Sequence, residues 1–235
     1  MQVRINKYLA DCGIASRRAI DKLIVEGRIA INGVVLKKPG AQVEQGDRVT
    51  MNGKRIDRAP SNHTYILFNK PANCITTASD PQGRKTVLDY VRLPARMFPI
   101  GRLDRDTTGV LILTNDGDLA NKLMHPRYSV EKQYQVHLNK PLTETHRKTF
   151  ESGIMLEGRK TAPCTARFAG NKRNVVITLH EGRNRQIHRM FKELGYRVEQ
   201  LERTRYAGLM AKGLGRGEWR ELTKKEIEQI TNSIL

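Results

Sequence analysis

Four carboxylates crowd into and just past the segment FPIGRLDRDTTGVLILTNDG, residues 98–117: Asp104, Asp106, Asp116 and Asp118. Asp104 and Asp106 stand immediately before the most apolar run of the chain, GVLIL. A carboxylate at the mouth of a buried segment can serve as a nucleophile or as a general acid or base, once positioning and a dry pocket activate it. Burial alone would raise its pKa, so such a site needs a cation nearby to keep the group ionised. Asp106 shares the direction of Asp104 if the segment is extended. Asp116, in Asn-Asp-Gly, reads as a turn residue, and Asp118 reads as the cap of the following helix, LANKLM. The run NDGD hints at a calcium loop but lacks the EF-hand spacing.

Other groups could work beside such a carboxylate. Arg102 lies two residues before Asp104, and a planar guanidinium can stack on a base and bind phosphate at once. Tyr134, in the alternating segment KQYQV, is either a core ring or a stacking platform. In GRNRQIHRMFKELG, Ile187, Met190, Phe191 and Leu194 make one apolar helical face, while Arg185, His188, Arg189 and Lys192 lie around the rest. The chain has no P-loop pattern and no G-x-G-x-x-G after a strand, which argues against a nucleotide cofactor. Its three cysteines, Cys12, Cys74 and Cys164, are far apart, with neither metal spacing nor a disulfide framework. No metal ligand set is predicted.

The elements that must hold these groups divide near residue 60. GKRIDRAPSNHT, residues 53–64, reads as a linker. Ahead of it, INKYLA places Ile5, Tyr8, Leu9 and Cys12 at helical spacing. Ser16 is an N-cap for RRAIDKLIVEG, which Gly27 is placed to end. Asn32-Gly33 between apolar runs predicts a hairpin over 29–36, and a second Asn-Gly follows in GDRVTMNGKRI. After the linker, TYILFNKP, VLILTND, KQYQVHL and NVVITLHEG read as strands, and LANKLMH, TETHRKTFESG and NRQIHRMFKELGY as helices. Their irregular alternation predicts an α+β domain on a mainly antiparallel, mixed sheet with flanking helices.

Composition narrows the class of partner. The 235 residues hold 42 Lys and Arg against 24 Asp and Glu, a formal net charge of +18. That excess points to a polyanion, with nucleic acid first. No apolar run approaches a membrane span, and MQVRINKYLADCG, charged throughout, does not read as a signal peptide. A cytoplasmic monomer is expected.

The order helix, Arg-Arg helix, Asn-Gly hairpin resembles the S4 RNA-binding module, carried by ASRRAIDKLIVEGRIAINGVVL. The resemblance assigns residues 1–60 to such a domain and makes Arg17, Arg18 and Lys22 its RNA contacts. A helix-turn-helix DNA regulator is the competing reading of residues 3–26, and the hairpin favours RNA.

The remainder, residues 64–235, resembles the pseudouridine synthases of the small-subunit rRNA synthase family. The central segment FPIGRLDRDTTGVLILTNDGDLANKLMHP carries the match, with LFNKP, EKQYQV and EGRNRQIHRMFKELGYRVEQLERTR beside it in the same order. The resemblance implies that a uridine in ribosomal RNA, free or in a ribosome assembly intermediate, is isomerised without any cofactor. Large-subunit RNA ranks first, small-subunit RNA second and tRNA third. Asp104 is then the nucleophile, and Arg102 takes the place of the flipped nucleotide. Tyr134 packs on the uracil, and Lys70 and Arg189 contact RNA. The family usually has Arg or Lys where His188 stands, paired with the carboxylate. Arg185 and Arg189 are the alternative cations. Asn73 stands where relatives often have Gly. A non-catalytic, ribosome-associated S4 protein is the competing function.

Overall fold

A computed structural model describes residues 2–57, 63–78 and 80–234. The chain forms two compact units, Met1–His63 and Thr64–Leu235.

In the first unit, β1 (Val3–Arg4) leads into α1 (Ile5–Asp11) and α2 (Arg17–Val25), followed by β2 (Ile29–Ile31), β3 (Val34–Val35), β4 (Gln42–Val43), β5 (Val49–Met51) and β6 (Lys54–Arg55). The Ser16 hydroxyl caps α2 by accepting from the Ala19 N–H at 3.1 Å. Asn32 and Gly33 both take positive φ, 51° and 83°, which is the backbone a two-residue hairpin with right-handed strand twist requires. Asn52 and Gly53 repeat it, so the sheet order is β3-β2-β5-β6. Ile5, Leu9, Ile20, Ile24, Ile29, Val43 and Val49 fill the core, leaving Arg17, Arg18 and Lys22 exposed. The linker expected over 53–64 is corrected in part: Lys54–Arg55 pairs with β5, because the Asn-Gly turn folds it back. Residues 58–62 lie outside the described residues.

The second unit contains β7 (Tyr65–Lys70), β8 (Phe98–Ile100), β9 (Thr108–Thr114), α3 (Gly117–Met124), β10 (Lys132–Leu138), α4 (Glu144–Glu151), β11 (Met155–Leu156), β12 (Arg159–Lys160), β13 (Thr165–Ala169), β14 (Asn171–Leu179), α5 (Gln186–Glu193), β15 (Val198–Tyr206), β16 (Trp219–Glu221) and α6 (Lys224–Asn232). Its main sheet runs β13-β14-β10-β15-β9-β7-β16, with β8 also on β9. Only β15–β9 is parallel among the described strand pairs, so the α+β class with a mainly antiparallel sheet holds.

The continuous apolar run of β9 follows from burial on both faces. Val110 and Ile112 join the helices α3 and α6 in one core, and Leu111 and Leu113 point into another. A third core packs α4 and α5 on β10, β13 and β14.

Gly109 fixes where β9 meets β15. Its φ is +102°, and a Cβ there would overlap the backbone carbonyl of Arg203, its register partner. Gly109→Ala should therefore lower unfolding free energy by about 3 kcal/mol, from backbone strain and forced strand separation together. Urea titration checks this; a loss below about 1 kcal/mol would show that the strands can part without penalty.

Candidate active site

Residues 101–107, between β8 and β9, carry Arg102, Asp104 and Asp106, and three contacts fix this loop from below. The Thr76 hydroxyl donates to the Leu103 carbonyl at 2.8 Å and accepts from the Leu103 N–H at 3.2 Å. The Thr107 N–H donates to the Asp104 carbonyl at 3.1 Å, closing a turn. Lys70, at the end of β7, is 0% exposed, and its ammonium donates to the carbonyls of Pro71 and Arg105 at 3.0 Å and Thr107 at 2.9 Å. The expectation that Lys70 contacts RNA is thereby corrected, because its three donors are spent on carbonyls inside the fold. Burial pushes this ammonium down to about 8, while Asp106 and Asp104 pull it the other way. At pH 7 it remains a cation beneath the loop. Arg105 donates to Asn73 Oδ1 at 3.2 Å, and Asn73 sits at φ +58°, a backbone that Asn accepts more readily than most residues.

The Asp104 side chain is 29% exposed, and its Oδ2 lies 4.0 Å from Arg185 Nη1. Arg185 precedes α5 with φ +48°, an uncommon conformation for a residue with a Cβ. His188 follows one helical turn later. Its pKa is lowered by burial first and by Arg185 second, against the pull of Asp104 and Asp106. At neutral pH the ring is therefore mostly neutral. Arg189 turns aside to pair with Glu157 at 2.8 Å. Of the alternative cations, it is Arg185 that faces Asp104.

Arg102, Asp104, Tyr134, Arg185 and His188 line one cavity of about 380 Å³. Tyr134 stands on β10, opposite Ile177 of β14 and Arg203 of β15. Of the rival carboxylates, Asp116 serves the fold, and Asp106 is exposed. Asp116 accepts from the N–H groups of Asp118 and Leu119 at 3.0 Å and from the Tyr65 hydroxyl at 2.8 Å. Asp116 is therefore the cap of α3, and the expected capping by Asp118 is corrected; Asp118 lies in the first turn.

Three residues of the wall do not stand out in the sequence: Lys132, Arg203 and Tyr206. Lys132 lies two residues before Tyr134 on the same strand face, and that period-two relation is the one signal that could find it. Burial pushes Lys132 down to about 8, and the nearby charge of Arg203 adds to the effect. Among the described residues no helix is long and apolar enough to cross a membrane, and no cluster of three His, Cys, Asp or Glu could hold a metal ion.

The family model for RNA pseudouridylate synthase matches residues 64–193, and the S4 domain model matches residues 3–49. The chain is 43% identical to ribosomal large subunit pseudouridine synthase B of Bacillus subtilis, over 97% of this chain and 95% of that protein. It is 40% identical to the dual-specificity RNA pseudouridine synthase RluF of Escherichia coli, over 96% of this chain and 77% of that protein. A solved pseudouridylate synthase superposes with a TM-score of 0.72 at 30% identity, covering 97% of this chain and 99% of that one. On these grounds the chain belongs to the RNA pseudouridylate synthase family and carries an S4 domain ahead of the synthase domain.

Proposed function

We propose that the protein isomerises a uridine of large-subunit ribosomal RNA to pseudouridine, with Asp104 as the nucleophile. The observation that carries this reading is the cavity itself: a part-exposed carboxylate on a clamped loop, faced by Arg185 at 4.0 Å, with Tyr134 in the same wall. The preference for large-subunit RNA rests on the full-length similarity to synthase B.

The reaction exchanges a C1′–N1 bond for a C1′–C5 bond. It is an isomerisation, so it needs no electron acceptor. Its demands are a positioned nucleophile, a cation to hold that nucleophile ionised, and access to a base taken out of the stack. Arg185 is the cation that faces Asp104 at 4.0 Å, and burial first, with Arg185 second, lowers the pKa of His188 beside it. Exposed Arg102 is suited to fill the gap left by the extruded base. Tyr134 offers a ring for the uracil face. Mapping pseudouridines in total RNA from cells with and without the gene tests the reading. One large-subunit uridine should lose its modification and regain it on complementation. A change confined to small-subunit RNA or tRNA would refute the substrate, and no change anywhere would refute the activity.

The S4 domain positions the RNA through phosphates, while the base is read in the synthase domain. Arg17, Arg18 and Lys22 present exposed charges from α2 for this purpose. Changing all three to Ala should weaken rRNA binding most at low salt. The slope of log affinity against log salt should flatten by roughly one unit per lost contact. Bound RNA should still be modified when protein is in excess. Unchanged affinity and slope would assign RNA binding to another surface.

A further inference from the structure

The strands that wall the cavity at one end gather cations at the other. β10, β14 and β15 bring Tyr134, Leu179 and Arg203 to the cavity. β10 runs antiparallel to both its neighbours, so residues 139–140, 171–173 and 197 meet at the far edge of the sheet. There the Asn139 N–H donates to the Arg197 carbonyl at 3.0 Å and the Leu142 N–H to the Lys172 carbonyl at 2.8 Å, tying the loops together. Helix α4 adds Lys148 beside them: the hydrogen bond from Arg147 first, with the charges of Lys148 and Lys172 after it, holds Glu144 below the usual carboxylate range. Lys140, Lys148 and Lys172 are exposed. Two of them are pre-positioned by rings, with Lys140 Nζ 4.9 Å from the Tyr196 centroid and Lys172 Nζ 5.9 Å from that of Phe168. Tyr196 is itself fixed, its hydroxyl accepting from the Thr143 N–H at 3.3 Å and meeting His146 Nδ1 at 2.9 Å. The carboxylates that touch this group are already engaged: Glu144 and Glu151 by Arg147 at 2.5 and 2.7 Å, and Glu199 by Arg173 at 3.0 Å and Arg197 at 3.3 Å. Like charges gathered on one rigid edge repel one another, and a polyanion laid across them relieves that repulsion.

We propose that this far edge of the synthase sheet is a second RNA-binding surface, holding phosphates of a ribosomal RNA segment outside the one that carries the target uridine. The inference rests on the synthase reading above. Lys140 lies six residues beyond Tyr134, and at about 3.3 Å per strand residue the edge stands roughly 20 Å from the cavity. That is about two Debye lengths at 0.1 M salt, so the edge acts on what lies against it and not on the base being modified. Lysine ammonium groups hold phosphate as point charges and read no sequence. The edge therefore adds affinity and orientation, and leaves the choice and chemistry of the uridine to the cavity. Lysines already resting on rings lose less freedom when a phosphate arrives. An RNA suits the edge better than an acidic protein does. Asn139 and Asn171 stand exposed among the lysines, and Asn, Lys and Arg are phosphate-contacting side chains, whereas protein interfaces centre on buried aromatic and apolar anchors.

The test compares the full-length wild type with the triple variant Lys140→Gln, Lys148→Gln, Lys172→Gln on two RNAs: a short one that carries the target uridine in its local fold, and a longer rRNA fragment centred on it. On the long fragment the variant should bind about 10- to 100-fold more weakly at low salt, and the slope of log affinity against log salt should flatten by roughly three units. On the short RNA its affinity should stay within about threefold of wild type. Single-turnover rates at saturating protein should match wild type on both, since none of the three lysines lines the cavity. Ribose footprinting of the long fragment should show protection by wild type, outside the short segment, that the variant loses. Equal weakening on both RNAs would reduce the lysines to a general charge effect and overturn the inference. Unchanged binding of the long fragment would overturn it too, and would leave the edge to an acidic protein or to solvent. Failure of the wild type to modify any uridine would sink the synthase reading instead, while the two binding curves still decide the surface.

Discussion

Asp104→Asn should abolish pseudouridine formation, lowering the single-turnover rate by on the order of 10⁴-fold or more, while RNA affinity stays within about threefold of wild type. The substitution keeps the shape of the side chain and removes its charge and nucleophilicity. The loop should survive it, because the clamp acts through backbone groups: Thr76 on Leu103, and Lys70 on the carbonyls of Arg105 and Thr107. The Asp104 carboxylate takes no part in those contacts. Arg185, released from its partner at 4.0 Å, remains available to phosphate, so binding has no reason to collapse. Asp106→Asn is the control: its side chain is exposed, and it should cost less than about tenfold. Wild-type turnover by Asp104→Asn in a folded preparation would remove the nucleophile assignment and leave the cavity without a named one.

The groups around Asp104 differ in how readable they are, for a physical reason. Asp104 and Tyr134 sit inside short contiguous motifs, and the resemblance of those motifs to a known family is what nominates them; Arg185 is nominated only as one of two alternative cations, beside Arg189. The apolar run of β9 and the helical face of Ile187, Met190 and Phe191 are equally legible, since burial on a regular element leaves a local period. The Asn-Gly turns are legible because few other residues accept their backbone.

What escapes the sequence depends on partners far along the chain. Lys70 follows an apolar strand and looks like a surface cation; only the carbonyls of Arg105 and Thr107, 35 and 37 residues away, make it a buried anchor. Arg203 is hidden because β15, reading VEQLERTRY, carries too many charges to show an apolar alternation. Its burial follows from the parallel pairing with Gly109. Helix α6 is hidden for a similar reason: of its nine residues only Ile230 is buried. Asp118 looks a better cap than Asp116 because Asn-Asp-Gly reads as a turn, although a turn entering a helix is where a cap belongs.

Lys70→Met separates the two roles this lysine could have. In the structure its ammonium satisfies three carbonyls, two of them in the loop that carries Asp104. Met matches its length and satisfies none. The orphaned carbonyls should destabilise the fold, offset in part because a buried charge is also removed; a net loss of about 2 kcal/mol is expected. The catalytic loss should be larger in proportion, about 100-fold in rate with RNA affinity unchanged, since a shift of about 1 Å in the Asp104 loop suffices for it.

The pH dependence has a defined sign. The folded ammonium titrates near 8, below its ordinary 10.5, so between those values the unfolded chain holds the extra proton and stability gains with rising pH. Met has no such gain. The stability difference between wild type and variant should therefore widen from pH 8 toward 10.5; Cys74, whose pKa burial raises and Lys70 pulls down, is coupled to this titration, while groups that Lys70 does not touch cancel in the subtraction. Urea titrations of the two proteins across that range, with rates and RNA affinities at pH 7, measure all three effects. A variant with wild-type stability, weaker RNA binding and a flatter salt dependence would restore Lys70 to the RNA surface and remove the anchor beneath Asp104.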